Sequence, residues 1–357
     1  MLDRMREWEP PAAWLKITTV DAHTGGEPFR VITGGYPELP GETILERRRY
    51  AREHLDHLRT MLMWEPRGHA DMYGCIVTPP VTPGADIGVL FMHNEGYSTM
   101  CGHGIIGIVK VALETGLLPI ASTARPETAG AGSAAERVVR IDTPAGLVTA
   151  HARISGGQVT SVAFHNVPSF VLALDETVHV PGLGDVRYDI AFGGAFYAYV
   201  QAEDLGLTLA PDEFRAIIDK GMAVKRAVMA RRPIPHPFEE DLSFLYGTIL
   251  VGPALGEGAG SRNVCVFAEG EVDRCPTGTG VSGRLALHHA RGEIGVGEDM
   301  VVESIIGTRF RGRVVATTSF GPYPAVIPEI EGSAHITGRH EFVVDPADPL
   351  RDGFILR

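Results

Sequence analysis

Two glycine-bracketed residues carry the clearest chemistry in this sequence. Residues 101–107 read Cys-Gly-His-Gly-Ile-Ile-Gly and residues 277–283 read Thr-Gly-Thr-Gly-Val-Ser-Gly, one x-G-x-G-x-x-G pattern written twice at an offset of 176. Each opens a helix-like stretch, Gly104 to Thr115 and Gly280 to Arg291, that ends on a glycine (Gly116, Gly292) where a helix C′ residue belongs. A helix N-terminus offers free N–H groups and the positive end of the helix dipole, a ready site for a carboxylate. Alternate glycines let a ligand approach the main chain closely. A thiol just before such a terminus has its thiolate stabilised, so the pKa of Cys101 is expected to fall from about 8.5 toward neutrality. A desolvated thiolate is a base for a proton alpha to a carboxylate. The plainer reading of a free cysteine is a small buried hydrophobe; the place of Cys101 in the repeat favours chemistry, whereas Cys75 and Cys265 lack that context and read as structural.

The pattern belongs to a longer repeat. Asp21-Ala-His-Thr-Gly25-Gly26 returns as Asp189-Ile-Ala-Phe-Gly193-Gly194, and Asp142-Thr-Pro-Ala-Gly146 resembles Glu303-Ser-Ile-Ile-Gly307. Three matches in one order point to duplication. The offset is 168 at the first match, 176 at the glycine turns and 161 after them; the fall from 176 to 161 assigns extra chain to the first half there, and Leu118 to Glu136, rich in Ala, Ser, Thr and Gly, reads as a mobile surface loop. Gly88 to Met92, Val138 to Ile141, Val159 to Phe164, Thr248 to Val251, Val264 to Ala268 and Arg313 to Thr317 read as short strands. Leu45 to Thr60 and Pro211 to Arg226 read as amphipathic helices. The expectation is an α/β (α+β) chain of two pseudo-symmetric halves, 1–180 and 181–339, each with mostly antiparallel strands around a central helix. The connection falls near Pro181-Gly-Leu-Gly184, and segment 340–357 is free to complete the first half. The two turns then face each other across a cleft.

Composition narrows the partners. With 357 residues, 44% hydrophobic and 21% charged, the chain suits two globular domains, and 43 Gly with 25 Pro favour turns and strands over long helices. A net charge of −12 argues against nucleic acid and anionic membranes, though not against an acidic substrate in a cleft. The longest apolar stretch, near Ile105, is interrupted by Lys110, and Met1 to Trp14 carries charges rather than an apolar signal core. Four cysteines without CxxC or Cys/His spacing suggest reduced thiols in a cytoplasm, no metal and no disulfide scaffold.

These segments resemble the proline racemase family over most of the chain. Asp21-Ala-His-Thr-Gly-Gly-Glu-Pro28, Glu65-Pro-Arg-Gly-His69, Met100-Cys-Gly-His-Gly104, Asn166-Val-Pro-Ser169 and Asp273-Arg-Cys-Pro-Thr-Gly-Thr-Gly280 match its characteristic motifs in order. The resemblance implies a fold similar to diaminopimelate epimerase, with the site between the halves and no cofactor, neither metal nor pyridoxal phosphate. Cys101 resembles the first of the family's two thiols, the proton acceptor. Gly102, His103 and Gly104 resemble the substrate-binding segment beside it, Asp273 the acid that holds a ring ammonium, and Gly278 with Thr279 the amides for the carboxylate. The second thiol position is Thr277. A hydroxyl cannot return a proton in a two-base racemisation, but one base suffices for an elimination. The Cys/Thr pair therefore resembles the hydro-lyases of the family, which turn trans-3-hydroxy-L-proline into pyrroline-2-carboxylate: Cys101 removes the alpha proton and the 3-hydroxyl leaves near Thr277. A small amino acid is the implied partner, and a homodimer is compatible with it.

Rival readings stay open at this level. A 4-hydroxyproline 2-epimerase or proline racemase would use the same fold, with Cys275, where the family more often has Ser, swung into the place of Thr277; packing in the turn is the plainer role for that thiol. A dinucleotide-binding oxidoreductase is disfavoured because Asn94 to Thr99 and Asp273 to Pro276 read as loops where a strand is needed. A non-catalytic amino-acid binder is the third. His103 reads as a substrate contact or a turn cap. His23 and Glu27 read as local turn stabilisers and His69 as unassigned. Phe192 and Phe196 read as ring walls or core, and adjacent His288 and His289 point to different helix faces, against a metal pair.

Overall fold

The computed structural model describes residues 2–120 and 135–356. Most of the loop expected over 118–136, namely 121–134, lies outside the described residues. A short helix α1 (Leu2–Arg6) precedes the first half: β1 (Leu15–Thr24), β2 (Glu27–Gly34), α2 (Ile44–His54), α3 (Asp56–Met63), β3 (Tyr73–Thr78), β4 (Ile87–His93), β5 (Gly96–Ser98), α4 (Gly102–Glu114), β6 (Ala135–Thr143), β7 (Gly146–Ser155) and β8 (Gln158–His165). The second half runs β9 (Ser169–Val180), β10 (Gly184–Phe192), β11 (Phe196–Gln201), α5 (Phe214–Arg231), β12 (Leu245–Gly252), β13 (Ser261–Phe267), β14 (Glu271–Val272), α6 (Gly278–Ala290), β15 (Asp299–Glu303), β16 (Arg309–Phe320), β17 (Tyr323–Gly332) and β18 (Ala334–Val344).

The second half repeats the first, pairing by pairing. Antiparallel β1–β2, β3–β4, β4–β5, β6–β7 and β7–β8 recur as β10–β11, β12–β13, β13–β14, β15–β16 and β16–β17. The parallel pairs β2–β3 and β4–β6 recur as β11–β12 and β13–β15. Strand β9 pairs with both β10 and β17 and closes the second ring around α6. Strand β18 returns to β1, and β8 pairs with β17, so the last strands stitch the halves together. The result is a mixed α+β fold with a closed sheet barrel.

The sequence dictates which helices sit inside. In α4 every residue but Lys110 and Glu114 is buried, and in α6 everything from Gly278 to Leu287 is; a helix apolar all round belongs in a core. The continuous apolar run of β4 is buried on both faces. Val89 and Phe91 join the core around α4, while Leu90 and Met92 join a second core with Leu58 and Leu62 of α3.

Several expectations change. The single helix over 45–60 breaks at Leu55 into α2 and α3, which lets Leu58 and Leu62 turn onto β4 while Arg59 donates to the His93 carbonyl. The second helix opens with a 3₁₀ turn, Pro211–Glu213, and continues to Arg231. Pro181 to Leu183, where the connection was expected, is the turn of the β9–β10 hairpin. Short strands do precede both glycine turns, β5 and β14, but each hairpins back antiparallel, unlike the parallel strand of a dinucleotide site. Among the described residues no helix is long and apolar enough to cross a membrane.

Candidate active site

The two glycine turns meet at the centre of the molecule. A Cβ placed on Gly102 would lie 2.7 Å from the Cα of Gly278, and one on Gly278 would lie 2.9 Å from the Cα of Gly102. Only glycine lets the helix starts approach so closely. Cys101 is the N-cap of α4, in extended conformation (φ −145°, ψ 108°), and its Sγ accepts a hydrogen bond from the Gly104 amide at 3.2 Å. Nδ1 of His103 lies 3.2 Å from the same sulfur.

Across the contact the symmetry breaks. Thr277 takes φ +65°, ψ 93°, and makes no side-chain cap. A β-branched residue rarely adopts positive φ, and such strain costs about 1–3 kcal/mol, kept only where surrounding structure enforces it. Here its amide donates to Cys275 Sγ at 3.4 Å, its hydroxyl makes a short hydrogen bond to Oδ2 of Asp273, and Asn263 holds the Pro276 carbonyl. Two residues on, Thr279 Oγ1 lies 2.7 Å from the Tyr197 hydroxyl.

Seven of the eight residues singled out from the sequence, Cys101, Gly102, His103, Asp273, Thr277, Gly278 and Thr279, line one cavity. Gly104 does not, because its amide is taken by the Cys101 sulfur. The cavity is about 10 Å³, room for one water at most. Tyr73, Met100, Tyr197 and Tyr246 complete the wall. The tyrosines were missed by the sequence reading, yet a signal existed. Tyr73-Gly-Cys-Ile-Val-Thr78 and Tyr246-Gly-Thr-Ile-Leu-Val251 are another copy of the repeat, and their hydroxyls sit 3.3 Å apart. Tyr73 stacks on His93 as Tyr246 stacks on Phe267.

The electrostatics overturn one expectation. Burial pushes the Cys101 thiol well above its ordinary value, the Gly104 amide only partly opposes this, and the Asp273 charge adds to it. Desolvation of the thiolate in a nearly closed cavity outweighs one helix terminus. Burial also pushes His103 down to about 3 and Asp273 up to about 7, the latter despite the Thr277 hydroxyl. His103 is therefore a neutral imidazole beside the sulfur.

The remaining candidates sort by geometry. Cys275 is wholly buried in the turn and does not line the cavity. His23 accepts from the Gly26 amide, as a turn residue should. Glu27 does more than stabilise its turn: it is buried across the interface and accepts from the Arg274 amide. His69 is exposed and bonds the Ala70 carbonyl. Phe192 stacks on Phe170 and Phe196 meets it edge-on, both in the main core and outside the cavity lining. His288 pairs with Glu293 and His289 with the Ile294 carbonyl. Among the described residues no three His, Cys, Asp or Glu side chains cluster to hold a metal ion.

Comparison with known proteins agrees with this geometry. The family model described as proline racemase matches residues 19–355. The trans-3-hydroxy-L-proline dehydratase of Colwellia psychrerythraea is 44% identical, covering 99% of this chain and 97% of that one, and the Homo sapiens protein of the same name is 47% identical, covering 96% and 95%. A crystal structure of a hydroxyproline epimerase from Agrobacterium vitis with bound trans-4-hydroxy-L-proline superposes with a TM-score of 0.89 at 32% identity, covering 97% and 96%.

Proposed function

The chain belongs to the proline racemase family, and from that premise we propose that it is a hydro-lyase converting trans-3-hydroxy-L-proline into pyrroline-2-carboxylate. The observation that carries the proposal is the unequal pair, a thiol on one face of the cavity and a hydroxyl on the other. The substrate carboxylate is held between the starts of α4 and α6, by amides at Gly102, His103, Gly278 and Thr279. The ring ammonium is held by Asp273. The alpha C–H then faces Cys101, and the 3-hydroxyl, trans to the carboxylate, lies on the same ring face as that hydrogen and leaves syn to it.

Substrate itself brings the thiolate within reach. The Asp273 charge is one cause of the high Cys101 pKa, and an ammonium on that carboxylate cancels it. The Gly104 amide already donates to the sulfur, and the neutral His103 ring supplies an N–H at Nδ1 or Nε2 distance. The thiolate removes the alpha proton, electrons move to C3, and the hydroxyl departs; the enamine tautomerises to the imine. Two-sided exchange would need a second thiol, and Cys275, engaged with the Thr277 amide, is not offered to the cavity.

Incubation with trans-3-hydroxy-L-proline, trans-4-hydroxy-L-proline and L-proline separately tests this reading. Imine is expected from the first alone, with no inversion at C2 of the others, and Cys101→Ser should lower turnover by about 10²–10⁴-fold. D-configured product from proline or 4-hydroxyproline, without imine from the 3-hydroxy compound, would overturn it.

A further inference from the structure

We infer that Tyr73 is the acid for the leaving group: its phenol gives a proton to the 3-hydroxyl on the ring face that Cys101 attacks, and then takes the alpha proton back from the thiol. This rests on the dehydration reading above and supplies what that reading lacks, a source for the proton that turns hydroxide into water.

Stereochemistry decides where that acid must sit. The 3-hydroxyl shares a ring face with the alpha hydrogen, so whatever protonates it stands beside Cys101. Thr277, across the ring, is engaged with Asp273. Besides the thiol itself, two cavity-lining side chains of the first half carry a proton to give, His103 and Tyr73. His103 is a neutral imidazole whose Nδ1 lies 3.2 Å from the Cys101 sulfur; the N–H of such a ring is a weaker acid than a phenol, and it serves the thiolate. Tyr73 is buried, its ring meets that of His103 edge-on with centroids 4.6 Å apart, and its hydroxyl is a hydrogen-bonding neighbour of the Cys101 sulfur. Two further hydroxyls steady it. Ser98, itself buried, makes a short hydrogen bond to the Tyr73 oxygen, and the Tyr246 hydroxyl lies 3.3 Å away. A hydroxyl has one proton to give and two lone pairs. With Ser98 and Tyr246 donating to its oxygen, the Tyr73 proton is free for the cavity. Both partners ease ionisation of the phenol, while burial keeps it protonated in the resting site.

The step balances. The alpha proton passes to Cys101 Sγ, and the C–H electrons become the C2–C3 double bond. The C3–O bond breaks with its electron pair on oxygen, which takes the Tyr73 proton and leaves as water. The site then holds a thiol beside a phenolate. A thiol is ordinarily the stronger acid of the two, with a pKa about 8.5 against about 10, so the proton passes from Cys101 to the Tyr73 oxygen. Thiolate and phenol are restored together, ready for the next substrate. The charge on the ring nitrogen is untouched until tautomerisation moves a proton to C3. No oxidant, reductant or further acid is consumed.

Two substrates differing in leaving group test this role. Fluoride departs without being protonated, so trans-3-fluoro-L-proline removes the need for an acid. Tyr73→Phe, which keeps the ring contacts, is expected to lose water elimination by about 10²–10⁴-fold while losing fluoride elimination by no more than about tenfold. Ser98→Ala removes only a hydroxyl that steadies the phenolate, and should slow water elimination by about tenfold with fluoride elimination unchanged. Binding of pyrrole-2-carboxylate to each variant checks that the site has folded. In variants that bind it, equal losses on both substrates would overturn the inference. So would no loss on either, the result expected if the thiol itself or His103 protonates the leaving group. Failure of the dehydration reading is distinguishable: the unaltered enzyme would then release no imine from trans-3-hydroxy-L-proline at all.

Discussion

At Asp273 a buried carboxyl group, a strained threonine and the anchor for an ammonium coincide. Burial raises its pKa to about 7, above the ordinary value near 3.9. A carboxyl group raised in this way favours the folded protein while protonated, and that contribution is lost as pH rises through the folded value. Asp273→Asn, neutral at every pH, is therefore expected to melt at nearly the same temperature at pH 6 and pH 8, whereas the unaltered protein should lose stability over that interval. Thermal melts followed by circular dichroism check this, and an equal slope in both proteins would contradict it. His103 works in the opposite sense. Its pKa is lowered to about 3, so its contribution is complete above about 6.5 and is lost as pH falls toward 3. His103 was readable from glycine spacing, because a backbone turn that must pack against its twin leaves a mark on the sequence; Asp273 was singled out only by the family resemblance. Their ionisation was not. A helix terminus argues for a low thiol pKa, while the burial that reverses it comes from Tyr73, Tyr246 and a second turn 176 positions away.

Among the elements, α4 and α6 do the positioning, and their starts touch through glycines alone. Gly102→Ala puts a Cβ 2.7 Å from the Gly278 backbone, with no flexible side chain to give way. The helices must part, at about 1–3 kcal/mol for overpacking. Because Cys101 and Thr277 ride on the same turns, activity is expected to fall by more than about 100-fold, the size of effect a 1 Å misplacement can produce. Denaturant melts and imine release measure the two effects, and a variant of ordinary activity would show that the contact does not set the site. The strands buried on both faces, such as β4, were readable as apolar runs. Others were not: β9, Ser-Phe-Val-Leu-Ala-Leu-Asp-Glu-Thr-Val-His-Val, alternates irregularly because its pairing with β10 is interrupted by bulges and its middle is exposed. The break at Leu55 also left no signal, since either helix phase would bury part of that face.

The whole molecule is two repeats that cannot be separated without tearing a sheet. Strand β18 closes on β1, β8 pairs with β17, and one continuous core includes Phe29, Val89 and Phe91 with Phe192, Ile249 and Phe267. Side chains bind across as well: Arg274 reaches Asp71 and its amide donates to Glu27, and Thr308 donates to the Gly25 carbonyl. Calorimetry is expected to give a single unfolding transition, and two separate ones would contradict this. Yet a cavity of about 10 Å³ is too small for a proline ring, so its walls must move when substrate enters. The duplication itself was readable in sequence, and the last segment was offered as completing the first half; the pairing of β8 with β17 was not readable, because nothing local marks which half a strand between the repeats joins.

The unequal faces of the cavity are tested most directly by proton NMR of the enzyme acting on trans-3-hydroxy-L-proline in deuterium oxide. One base opposite a hydroxyl predicts accumulation of pyrroline-2-carboxylate, with any deuterium at C2 of recovered substrate placed with retention. Appearance of cis-3-hydroxy-D-proline, the C2-inverted isomer, in place of the imine would contradict the account, because inversion requires a proton delivered from the face that Thr277 occupies.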